Sequence, residues 1–127
     1  MKYTILPDTS FLLQLEKVDV FTALEDAMQD PHEIVIIEPV LGELELLAKS
    51  GKKAEKMIAK VVIELIKRKG LKIKRGFSTD RHVDDLLTEL SSGDVLVATQ
   101  DKGLKQRIQT KGNQIITLRQ RKYVVMD

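Results

Sequence analysis

The chain has 127 residues, 43% of them hydrophobic and 31% charged, with a net charge of +2; this suits one folded domain with its own core and excludes a disordered segment. It contains no cysteine, which excludes disulfides, thiolate catalysis and zinc–thiolate sites. No apolar run approaches the roughly 20 residues that span a bilayer, and Met1-Lys2-Tyr3 leads straight into a strand-like run, so the expectation is a cytoplasmic protein with no membrane contact.

Tyr3–Pro7 reads as a short buried strand that closes on Asp8. Thr9 to about Leu15 follows as a helix start, with Asp8 or Thr9 as its N-cap. A second helix is expected over roughly 19–30, where Val20, Phe21, Leu24, Ala27 and Met28 fall on one face before Asp30-Pro31 stops it. Glu33–Ile37 is a β-branched run of the kind found in strands covered on both faces. Pro39 suits the first turn of a helix reaching about Ala48, and Ser50-Gly51 breaks it. The longest helical pattern covers 53–69, with Ala54, Met57, Ile58, Val61, Val62, Leu65 and Ile66 at intervals of three and four. Its stripe is wide enough to serve pairing with a second copy as well as the core. Gly70 ends it after Lys67, Arg68 and Lys69.

Leu71–Lys74 alternates as a short strand, and residues 76–80 form a loop. A helix over about 81–91, a central strand Val95–Thr99 and a helix Lys102–Thr110 follow, the last stopped by Gly112-Asn113. Gln114–Leu118 is a final strand, and Tyr123–Met126 is an edge strand or a tail. Strands alternating with helices predict a single α/β domain over 1–127, with a mainly parallel sheet of about five strands and helices on both faces.

Two of the predicted strands run into an aspartate, Asp8 and Asp101. The carboxyl ends of parallel strands form the functional edge of such a sheet. Each aspartate could serve simply as a helix N-cap, but two at one edge also make the start of a metal site. Glu43 falls in the second turn of its helix, beside a strand tip, whereas Glu45 lies about 200° further around the axis and faces solvent. Asp84 and Asp85 both sit early in their helix, and spacing leaves open which one turns inward. Gathered carboxylates repel one another unless a cation neutralises them, and hard oxygen donors suit Mg²⁺ or Mn²⁺. Competing chemistries are poorly supported. His32 and His82 lack a ligand-type partner four residues on, the glycines are scattered, and Ser10 has no histidine base.

Charge is segregated along the chain. Residues 1–48 carry 10 acids and 2 bases, and 49–75 carry 11 bases and 2 acids. Residues 76–101 carry 6 acids and 1 base, and 102–122 carry 7 bases and no acid. Acids for a metal beside cations for phosphates is what a nuclease requires. Lys102, Lys105, Arg107 and Lys111 follow Asp101 and are the expected phosphate-binding cations, with Arg119, Arg121 and Lys122 extending that surface and Lys52, Lys53, Lys56 and Lys60 as a rival one. Only five aromatics are present, which argues against extensive base stacking.

Asp8-Thr-Ser-Phe-Leu, Pro39-Val-Leu-Gly-Glu-Leu-Glu45, Val83-Asp-Asp-Leu-Leu87 and Val97-Ala-Thr-Gln-Asp101-Lys-Gly-Leu-Lys-Gln-Arg-Ile108 resemble, in order, the motifs of PIN domains. The resemblance runs from residue 3 to about 125 and is strongest to the PIN nucleases of the small-subunit processome, which cut precursor ribosomal RNA, and to their archaeal relatives. In those the fourth motif reads Val-Ala-Thr-Asn-Asp; Gln100 departs from it here. The resemblance implies a metal-dependent endoribonuclease with Asp8, Glu43, Asp84 and Asp101 as catalytic metal ligands, Asp85 as the alternative to Asp84, and Ser10 and Thr99 as polar supports. It implies RNA as substrate, with ribosome-assembly proteins or a second copy as partners. A VapC-type toxin ribonuclease and a non-catalytic RNA-binding PIN domain are the alternatives.

Overall fold

The computed structural model describes residues 2–127. β1 (Tyr3–Pro7) is followed by the short helix α1 (Thr9–Leu12), a 3₁₀ turn over Leu13–Glu16 and α2 (Val20–Ala27). Then come β2 (His32–Ile37), α3 (Glu38–Ser50), α4 (Lys53–Lys69) and β3 (Lys72–Lys74). The remainder is α5 (Val83–Leu90), β4 (Val95–Ala98), α6 (Lys102–Thr110), β5 (Ile115–Arg119) and β6 (Tyr123–Met126). The sheet has six strands in the order β3-β2-β1-β4-β5-β6, one more than predicted, because Tyr123–Met126 is a strand that pairs antiparallel with β5. All other pairings are parallel.

That order decides where a site can form. From β1 the chain steps outward to β2 and β3, then returns across β1 to lay down β4 and β5. Right-handed crossovers in the two opposite directions place helices on opposite faces of the sheet. Neighbouring connections therefore diverge between β1 and β4, leaving a crevice at the carboxyl ends of those two strands. The core beneath it is built from the strands, with Ile5, Ile36, Ile37, Leu96, Val97 and Ile116 almost wholly buried.

Several elements are shorter than periodicity suggested. The expected first helix passes into the 3₁₀ turn after Leu12. The second ends at Ala27, where Met28 turns extended and buries its side chain. The stripe of α4 is divided. Ala59, Val62 and Ile66 are buried, but Met57 and Val61 are 63% and 49% exposed. A helix packed along one side against α3 and the 3₁₀ turn can bury only part of so wide a stripe. Among the described residues no helix is long and apolar enough to cross a membrane.

Gly70 closes α4 in the left-handed region at φ +63°, its N–H bonding back to Lys67 at 3.1 Å. A side chain there is strained even though the surrounding space is open. Gly70→Ala should cost about 1–2 kcal/mol, measured by urea unfolding, whereas Gly42→Ala, in open space within α3, should stabilise by up to about 1 kcal/mol.

Candidate active site

Asp8 and Asp101 leave the sheet side by side. Pro7 is level with Ala98, and the Asp8 N–H donates to the Ala98 carbonyl at 2.9 Å. Asp8 is only 5% exposed, and its carboxylate is heavily partnered. Oδ1 accepts the Phe11 N–H at 2.9 Å and the Ser10 hydroxyl at 2.7 Å, and Oδ2 accepts the Thr99 hydroxyl. The same hydroxyls brace the neighbouring strand tip: Thr99 Oγ1 accepts the Asp101 N–H at 3.0 Å, and Ser10 Oγ accepts the Gln100 N–H at 3.0 Å. Both aspartates are thus N-caps, Asp8 of α1 and Asp101 of α6 through Leu104 N–H at 3.0 Å. Capping occupies one oxygen of Asp101 and leaves the other open.

The other two acids come from different elements. Glu43 projects from α3, where Thr9 donates to its Oε1 at 2.6 Å. An open groove of about 380 Å³ joins Glu43 to His82, Val83, Asp84, Asp85 and Arg107. Arg107 donates to Asp85 at 2.7 Å, and this bond holds the Asp85 carboxyl below its usual range. Asp84 makes no such bond, and Arg107 lowers it only from a distance. Partial desolvation, then the Asp101 charge, raise its carboxyl. Burial raises Asp8 as well, against the hydroxyl and amide bonds that lower it, with Asp84 adding a smaller upward push. Asp8 therefore feels the charge of Asp84, and Asp84 that of Asp101, while Asp85 is bonded to an arginine. That distinction was not visible in the sequence, where adjacent aspartates are equivalent.

The four expected ligands share one edge, but they do not form a closed cage: among the described residues no three acidic or histidine side chains stand close enough to hold an ion together. Like charges have no reason to converge without a cation between them. The donor chemistry still fits Mg²⁺ or Mn²⁺, since Glu43, Asp84 and Asp101 are exposed carboxylates and Asp8 keeps accepting capacity at Oδ2 beyond its single bond from Thr99.

The expected RNA-binding cations divide in two. Arg107 is committed to Asp85, and Lys111 donates to the carbonyls of Thr88, Glu89 and Ser91 at 2.8, 3.1 and 2.9 Å. Lys111 therefore closes the end of α5 rather than presenting a free charge, because that helix leaves its last carbonyls without internal donors. Lys102 and Lys105 carry no side-chain bond among the described residues and remain available. Thr9 and Gln100 were missed as site-organising residues. Gln100 Oε1 accepts the Leu118 N–H at 2.7 Å and the Thr117 hydroxyl at 3.0 Å, and its Nε2 donates to Leu118 O at 3.0 Å. Its departure from the resembled motif was the only signal that could have singled it out.

With this geometry in view, comparisons with known proteins agree with one another. The PIN like domain family matches residues 5–121. Ribonuclease VapC4 of Methanocaldococcus jannaschii is 33% identical over 125 residues, covering 95% of this chain and 94% of its own. The solved structure of the PIN domain endonuclease Utp24 is similar at a TM-score of 0.78 and 24% identity, over 98% of this chain and 91% of that one; at that identity the likeness speaks for the fold.

The raised Asp8 carboxyl has a consequence for stability. A group whose folded pKa exceeds its unfolded value binds its proton more tightly when folded, so stability falls as pH rises from the unfolded value of about 3.8 through the raised one. Asp8→Asn retains capping capacity and loses the buried charge. In chelator at pH 7 it should melt about 2–5 °C above the unsubstituted protein, and the difference should disappear at the acid end of that window in a thermal scan.

Proposed function

Because the chain belongs to the PIN like domain family, we propose that it is a metal-dependent endoribonuclease that hydrolyses RNA phosphodiester bonds at the edge formed by Asp8, Glu43, Asp84 and Asp101. The observation that carries this reading is the meeting at one edge of a buried, braced Asp8 with Asp101, which keeps one carboxylate oxygen open, beside the groove that carries Glu43 and Asp84. Asp85, held by Arg107, is assigned no metal-binding role.

Those four carboxylates would hold Mg²⁺ or Mn²⁺, which when bound activates water near neutral pH and offsets phosphate charge. The chain supplies the rest. Ser10, Thr99 and the Phe11 N–H fix Asp8, so its carboxylate needs no reorganisation when it engages a ligand. Ser10 is not a nucleophile in this scheme, because its hydroxyl donates to a carboxylate and accepts an amide. Lys102 and Lys105 engage phosphates flanking the scissile bond.

The substrate is proposed to be structured RNA of a ribosomal precursor, supported by the likeness to processome nucleases in the fourth motif. The identity to VapC4 supports a toxin-type ribonuclease equally well, with the same edge and the same chemistry. Sequencing the RNA crosslinked to the protein in cells decides between them: precursor ribosomal RNA supports the first, another RNA class together with a neutralising partner protein the second. Pairing of two copies through Leu46, Met57 and Val61, exposed on α3 and α4, belongs to the same proposal, as does docking on ribosome-assembly proteins in a cytoplasmic setting.

Millimolar Mn²⁺ should raise the melting temperature by mass action on the folded state. Asp101→Asn, which keeps the cap, and Asp84→Asn should each abolish that shift and lower RNA cleavage at least 100-fold, about 2.7 kcal/mol of transition-state stabilisation. Asp85→Asn should retain both within about threefold. Equal loss in the Asp84 and Asp85 variants would defeat the assignment of ligands.

A further inference from the structure

The turn between β5 and β6 is the one place where non-glycine residues among those described adopt left-handed backbone. Gln120 and Arg121 stand at φ +56° and +54°, with the Lys122 N–H closing on the Arg119 carbonyl at 3.1 Å. Hairpins that need two such residues in a row normally use Asn-Gly. Here the positions hold Gln-Arg, followed by Lys122. Strained backbone of this kind persists where its surroundings enforce it, and it points to use rather than to folding economy.

The sheet register says what that use is. β4 and β5 run parallel, with Ala98 level with Ile116, so Leu118 comes level with Gln100 and the turn emerges from the same edge as Asp101. Gln100 enforces that alignment. Its amide holds Leu118 by both N–H and carbonyl, while its own N–H is held by Ser10, which in turn bonds Asp8. An unbroken set of hydrogen bonds thus runs from the Asp8 carboxylate to the base of the hairpin. Arg119 is tied to Asp127 by two bonds at 2.9 and 2.7 Å, but Arg121 and Lys122 are exposed and carry no side-chain partner among the described residues. Lys122 also lines a groove that carries Asp19 and Asp26, acids that repel phosphate from that side of the turn.

We infer that the β5–β6 turn is a phosphate grip: Arg121 and Lys122 hold the RNA backbone beside the acidic edge, and Gln100 acts as a positioning residue that fixes the grip in register with Asp8 and Asp101. The inference rests on the endoribonuclease reading. It carries the cationic surface of Lys102 and Lys105 onto the β5–β6 turn, and gives a reason for glutamine at position 100.

The test measures RNA affinity by fluorescence anisotropy without divalent metal, at several salt concentrations, on a short single-stranded RNA and an RNA stem-loop. Arg121→Gln with Lys122→Gln should weaken binding about tenfold at low salt and reduce the log–log salt slope by about 1.4, two single-strand phosphate contacts. Arg121→Lys should retain most of the affinity. Arg121→Gly relaxes the backbone while removing the charge, so it should raise the melting temperature and still weaken RNA binding; a purely structural turn would gain stability with no change in salt slope. Gln100→Ala should raise KM for RNA cleavage in Mn²⁺ more than it lowers kcat. Unchanged affinity and slope in the double glutamine variant of a protein that cleaves RNA would overturn the grip alone. A protein that binds no RNA would overturn it together with the nuclease reading.

Discussion

A carboxylate buried at the reversal point of the sheet is the constraint on which this structure turns. Removing Asp8 from water is costly unless its oxygens are partnered, and the chain meets that cost locally. Phe11 N–H and Ser10 come from the helix that Asp8 itself caps, and Thr99 comes from the adjacent strand tip. The same bonds determine how β1 and β4 end relative to each other, since Thr99 and Ser10 also receive the amides of Asp101 and Gln100. Folding the edge and preparing the site are therefore one event. The carboxyls of Asp8 and Asp84 are nevertheless raised, chiefly because burial penalises the charged form, with a smaller push from a neighbouring carboxylate; a cation at the edge would offset both effects.

Around this centre, ionic contacts sort the basic residues by task. Arg75 pairs with Glu38, Arg81 with Glu89 and Arg107 with Asp85. These pairs are exposed, so solvent screens them and they add little to stability. Their larger effect is to remove particular cations from the pool available to an anionic substrate, and to remove Asp85 from the pool of metal ligands. The segregation of acidic and basic segments along the chain thus serves two ends: some segments neutralise each other across the fold, and the residual positive charge near the edge lies at Lys102, Lys105, Arg121 and Lys122.

Much of the architecture was legible in the sequence because it rests on local patterns. β-branched runs gave β1, β2 and β4, and their succession with helices gave the parallel sheet. The N-cap chemistry of Asp8 and Asp101 and the termination at Gly70 were equally readable. What escaped was set by tertiary partners. Nothing in Val83-Asp-Asp reveals that Arg107 will take one aspartate, nothing around Lys111 reveals three carbonyls of another helix waiting for it, and the wide stripe of α4 does not announce which of its apolar residues stay outside. The edge carrying the four carboxylates followed from topology, but their separation did not, because it depends on side-chain positions and on the cation. Gln100 and the left-handed pair Gln120-Arg121 were hidden for a similar reason, since their roles exist only once β5 lies beside β4.

The measurement that bears most directly on the central claim is anomalous scattering from crystals of the protein soaked in Mn²⁺. One or two Mn²⁺ peaks are expected at the edge between β1 and β4, ligated by Asp8 with Asp84 and Asp101, with Asp85 still bonded to Arg107. Crystals that diffract well and show no Mn²⁺ at that edge, or show it bound through Asp85 with Asp8 uninvolved, would contradict it.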